Sequence, residues 1–72
     1  MAEQVAAEMV ANVHSVAVSE GDRIEAGATL LVLESMKMEI PVLAENAGVV
    51  ADVKVAAGDV VQEGDILVVL SA

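Results

Sequence analysis

Valine, leucine and isoleucine recur along this chain in short runs, and glycine-containing polar clusters separate the runs. In Val13-His14-Ser15-Val16-Ala17-Val18 branched residues are spaced by small or polar ones, and Glu20-Gly21-Asp22 follows as a turn. Val53-Lys54-Val55 alternates with a period of two, lysine outward and valines inward, as a half-buried strand does. Thr29-Leu30-Leu31-Val32-Leu33 and Ile66-Leu67-Val68-Val69-Leu70 are unbroken branched runs bounded by glycine turns, the pattern of sandwich-core strands. The stretch from Ala2 to Ala11 is the one candidate helix. It has no cap and shares Val5, Ala7 and Glu8 with a segment that contains Pro41, so it too reads as a strand.

The order of these runs repeats. Displaced by 37 positions, residues 5–35 lie over residues 42–72 without a gap, and 12 of the 31 pairs are identical. A composition rich in valine and alanine inflates such matches. It does not account for Gly21-Asp22 over Gly58-Asp59, or for Gly27 over Gly64. The pattern predicts a duplicated half-domain with pseudo-twofold symmetry. Eight short strands in two related fours then make an all-β flattened barrel or sandwich of two four-stranded antiparallel sheets.

Six residues have no counterpart: Met36-Lys37-Met38-Glu39-Ile40-Pro41. They join the last strand of one half to the first strand of the other. A link this short implies antiparallel neighbours and a tight hairpin, with Lys37 at its apex and the chain ends elsewhere. Hairpins favour Asn-Gly or Asp-Gly, so Met-Lys is poor turn chemistry, and a local rule broken without structural gain marks a place to look for function. Methionine is also more at home filling a core than flanking an exposed lysine.

Composition narrows the field. The chain has 72 residues, room for one domain spanning 1–72, and no cysteine, phenylalanine, tyrosine or tryptophan. A core of small branched side chains suits a thin sandwich better than a wide cavity. Three basic residues, Arg23, Lys37 and Lys54, stand against twelve acidic ones, a net charge of −9. Such a surface repels phosphate backbones and anionic lipid, so neither nucleic acid nor membrane is an expected partner. Met1-Ala2-Glu3-Gln4 carries no positive segment, and no run reaches the roughly 20 apolar residues of a membrane helix, so the expected location is the cytoplasm. Met1 directly ahead of the repeat and Ala72 at its end lead to the expectation of either a free-standing protein or a domain cut cleanly from a larger carboxylase, and the sequence does not choose between them.

Glu34-Ser35-Met36-Lys37-Met38-Glu39 resembles the biotin-attachment signature of biotinyl domains, a Met-Lys-Met preceded by alanine or serine. The resemblance extends through Glu20-Gly21-Asp22 and Gly27 before the motif, and Ala47-Gly48, Gly58-Asp59 and Glu63-Gly64-Asp65 after it. It implies the biotinyl/lipoyl barrel-sandwich fold, with half-repeats 5–35 and 42–72 and an attachment hairpin 36–41. Biotin would be amide-linked to Lys37, with Met36, Met38 and Glu34 contributing to the attachment site. The implied partners are a biotin protein ligase, which uses ATP, and the biotin carboxylase and carboxyltransferase subunits between which the carrier takes carboxylate as carboxybiotin. In isolation the domain is expected to be a monomer. Departures from the family pattern lie at strand ends. An Ala-Pro pair is replaced by Ala7-Glu8 and Ala44-Glu45, and a Pro-Gly by Val10-Ala11. A protruding thumb loop found in some relatives is missing.

Two other functions share this architecture. A lipoyl carrier typically has Asp-Lys-Ala at the tip, against which Met36 and Met38 argue, and an unmodified structural barrel would not need Lys37 at all. Catalysis by the chain itself is not expected. His14 is the one histidine and lies in a strand pattern, and Ser15, Ser19, Ser35 and Ser71 have no base around them. One histidine without cysteine assembles no metal site. An ordinary lysine is almost wholly protonated at pH 7, and neighbouring carboxylates favour that form, so activation falls to the attaching enzyme. What the carrier contributes is the position of the amine.

Overall fold

A computed structural model describes residues 2–71, which form eight strands and no helix. They are β1 (Ala2–Ala6), β2 (Ala11–Val16), β3 (Arg23–Ile24), β4 (Thr29–Ser35), β5 (Met38–Leu43), β6 (Gly48–Val53), β7 (Val60–Val61) and β8 (Ile66–Ser71). One antiparallel sheet has the order β1-β8-β6-β3, the other β5-β4-β2-β7. Adding 37 to the bounds of β2 and β3 gives those of β6 and β7, and the same shift turns one sheet order into the other. Each sheet therefore takes two strands from either half, and neither half has a sheet of its own.

Ala2 to Ala11, read as one strand, is two. β1 stops at Ala6, a bend occupies residues 7–10, and β2 begins at Ala11. The bend is where the chain leaves one sheet for the other, a change of partner that a valine pattern does not mark.

Inward-facing residues of both halves fill the space between the sheets. Leu30 and Leu67, Leu31 and Val68, Leu33 and Leu70, Val13 and Val50, Ile24 and Val61, Ala7 and Ala44 are buried pairs related by the shift of 37. Ala11 is buried as well, but its counterpart is Gly48. A Cβ at Gly48 would lie 2.6 Å from the carbonyl oxygen of Ser71, so the second half has no room for a methyl there. The largest fully buried side chains are leucines and valines, which suits a core this thin.

The turns repeat with the strands. Ser19–Asp22 and Ala56–Asp59 are each closed by the N–H of the aspartate donating to the C=O three residues earlier, at 3.1 and 3.0 Å. Each aspartate carboxylate accepts the first residue's N–H at 2.9 Å. Gly21 and Gly58 hold the third position at φ +93° and +96°, as a type II turn requires. Backbone bonds lock the halves together: Val13 N–H donates to Asp59 C=O and Val50 N–H to Asp22 C=O, both at 2.8 Å.

One ion pair lies away from the hairpin. Lys54 Nζ sits 2.7 Å from Asp52 Oδ2, both partly exposed. Hydrogen bonding from Lys54 holds the Asp52 carboxyl below its ordinary 3.8, and Asp52 in turn raises Lys54 above 10.5. The depressed carboxyl contributes stability above its unfolded pKa and loses it as pH falls through the lower folded value. The raised amine contributes below its unfolded pKa and loses it as pH rises through the folded value. The pair is thus fully in force between roughly pH 4 and 10. In a carboxyl-detected NMR titration Asp52 is expected to show a midpoint below 3.8, and Lys54→Met to move it upward.

Candidate functional site

β4 and β5 form a hairpin, with Glu34 opposite Glu39 and Ser35 opposite Met38. The connection is therefore two residues long, Met36 and Lys37. Residues 38–41, which have no counterpart in the sequence comparison, are the opening of β5 and pair with β4. They occupy the place that the opening of β1 has in the other half. The match escapes the sequence because exposed edge positions such as Gln4 and Pro41 are free to diverge. Pro41 is tolerated because β5 is an outer strand of its sheet.

Met36 and Lys37 have φ of +53° and +66°, and they are the non-glycine residues with positive φ among those described. Positive φ at both central positions is the backbone of a type I′ turn, whose twist matches that of the strands it joins. Side chains with a Cβ pay roughly 1–2 kcal/mol each for that conformation. Building Asn-Gly here, Met36→Asn with Lys37→Gly, is expected to raise stability by about 1–2 kcal/mol. A urea melt should show this as a higher midpoint at unchanged slope.

The side chains follow from the turn. Met36 is 92% exposed and Met38 61%, so neither methionine folds back on the sheet. Lys37 is exposed between them. Among the described residues the ion pairs join Lys54 to Asp52 and His14 to Glu39, and Lys37 takes part in neither. Its amine is held by no carboxylate at ion-pair distance, although Glu34 and Glu39 stand at the base of the turn. Two carboxylates directly across a strand pair repel each other, so this arrangement costs the fold a little. His14 is a neighbour that the sequence did not reveal, its Nε2 3.8 Å from Glu39 Oε2. Nothing in the strand pattern of β2 places it two strands away from Glu39 on the same outer face.

The geometry presents a primary amine on an exposed side chain at the tip of a two-residue hairpin turn. No group of three or more His, Cys, Asp or Glu side chains suited to a metal ion occurs among the described residues. No helix there is long and apolar enough to cross a membrane.

Comparison with known proteins accords with this geometry. Residues 3–70 match the family described as "Biotin-requiring enzyme". The "Biotinylated protein TB7.3 homolog" of Mycobacterium leprae is 61% identical over 71 residues, 99% of this chain and 100% of that one. The "Biotin/lipoyl attachment protein" of Bacillus subtilis is 49% identical over 67 residues, 93% of this chain and 92% of that one. Among solved structures, a single-chain, multi-domain long-chain acyl-CoA carboxylase superposes with a TM-score of 0.91 at 38% identity. That match covers 97% of this chain and 7% of the carboxylase.

Proposed function

The chain belongs to the biotin/lipoyl attachment family of biotin-requiring enzymes, and from that membership we propose that Lys37 is its biotin-attachment residue. One observation carries the reading: a lysine at the second position of a strained two-residue turn, exposed and outside the ion pairs of the described residues. A turn serving only the fold would be expected to relax to Asn-Gly.

Attachment forms an amide between the Lys37 Nζ and the carboxyl carbon of biotin, activated by a biotin protein ligase at the expense of ATP. The amine loses its protons to the ligase site and adenylate is the leaving group. Bound biotin supplies a ureido nitrogen that takes up and gives up carboxylate. The chain's own residues do the rest. The turn sets the direction of the Lys37 arm, β4 and β5 hold the turn in place, and Met36 and Met38 stand exposed on either side of Lys37. Acylation removes one positive charge, taking the formal charge from −9 to −10. Tethering raises the effective concentration of the group at successive active sites without tight binding at either. Those sites belong to the biotin carboxylase and carboxyltransferase components of a cytoplasmic carboxylase, and the carrier visits them as a monomer.

Intact mass of the protein purified from its native source tests this reading. The expected gain is one biotinyl group, retained by streptavidin. A gain of one lipoyl group would establish the second reading, which the name of the Bacillus subtilis relative keeps in view. An unmodified mass from biotin-replete cells would remove both.

A further inference from the structure

β1 and β5 are outer strands of opposite sheets and are related by the internal repeat. Between them runs an open groove of about 810 Å³. Its floor is apolar, with Val5, Val42, Leu33 and Leu70 contributed symmetrically by the two halves. Glu8 and Glu45, a pair related by the same shift, stand exposed beside it, and Glu3 accepts a hydrogen bond from Asn46 Nδ2 at 3.1 Å across it. No lysine, arginine or histidine lines the groove among the described residues.

We propose that this seam docks an extended segment of a protein partner, one that alternates apolar and basic side chains and adds as a strand to β1. An outer strand leaves N–H and C=O groups unpaired along its free side, a template for strand addition. Pro41 removes a donor from β5, so β1 is the edge able to pair. Alternate side chains of the added strand would enter the apolar floor, and the intervening ones would meet the carboxylates. Burying apolar surface there while neutralising Glu3, Glu8 and Glu45 provides both attraction and choice of partner. The groove is lined by Ile40 to Leu43 but not by Met36 to Met38, so a partner seated in it leaves the hairpin tip uncovered. The inference goes beyond the attachment reading and holds whatever Lys37 carries.

The test uses the full chain, labelled with ¹⁵N, and a capped ten-residue peptide alternating valine and lysine. Amide shifts are expected to gather in β1, β5 and residues 45–47, and to weaken with salt. Glu8→Gln with Glu45→Gln is expected to weaken binding about fivefold, the worth of two exposed ion pairs. The same peptide N-methylated at alternate residues keeps its charge and side chains but lacks the donors for strand pairing, and is expected to lose binding. Equal binding by the methylated peptide would overturn strand addition. Shifts spread over the acidic turns of both sheets would overturn the site, as would no shift at millimolar peptide. None of these outcomes bears on the mass measurement that tests attachment at Lys37.

Discussion

Lys37→Arg is expected to take up no biotin from a biotin protein ligase supplied with ATP, under conditions that label the unaltered chain fully. Arginine keeps the charge and the length of the arm but cannot be deprotonated to a nucleophile in a protein. A second variant separates position from the mere presence of an amine. Met36→Lys combined with Lys37→Met exchanges the two turn residues, so composition, net charge and the number of side chains held at positive φ all stay the same. The side chains of the two central residues of a type I′ turn leave the backbone in different directions, as neighbours along a strand do. The displaced amine is therefore expected to miss the ligase site proposed for Lys37, and the exchanged chain is also expected to remain unlabelled. Intact mass reads both outcomes. Labelling of the exchanged chain at the unaltered rate would show that any exposed lysine on this hairpin suffices, and would remove the turn from the account.

The other large effect is on the fold. Leu30 and Leu67 are fully buried mates, each the second residue of its strand, β4 and β8. Truncating either to alanine is expected to cost about 2–5 kcal/mol, the loss of a buried side chain together with the cavity it leaves. A single core in a chain below about 80 residues rarely supplies more than 3–5 kcal/mol, so either change should remove most of the domain's stability at 25 °C and shift its urea midpoint far downward. Because each sheet contains strands of both halves, the damage cannot stay in one half. Leu30→Ala and Leu67→Ala should give similar urea midpoints and a single cooperative transition. A truncated chain that still melts at the unaltered midpoint would mean that the sheets close over the cavity at little cost. Loss of the fold also releases the hairpin, so labelling of Lys37 should fall with the folded fraction.

Much of the architecture is legible in the residues. The branched runs at 29–33 and 66–70 lie within β4 and β8 because these are inner strands of their sheets, which bury most of those side chains. The turn at Gly58-Asp59 is legible because its backbone needs glycine and its cap needs a carboxylate at fixed spacing. Other features were not legible. The residues of the hairpin opening, Glu39 to Pro41, look unmatched because exposed edge positions answer to solvent, which places few demands on identity. The chain's departure from the strand at Ala7 is hidden because alanine and valine serve a bend over the core as readily as a strand.

The sequence by itself determined which residues lie inside, where the chain turns, and that one lysine falls outside the repeat. Each of these depends on what a residue requires locally: burial for leucine, positive φ for glycine, a pattern of period two for a strand. Only the tertiary structure decided that the halves interleave, that Met36 and Lys37 carry the strain of a two-residue turn, that Glu34 faces Glu39 with His14 nearby, and that β1 and β5 border an acidic groove. Those features depend on which strand ends up beside which. Closing two sheets over one shared core sets that pairing, a collective outcome that no short window of residues contains.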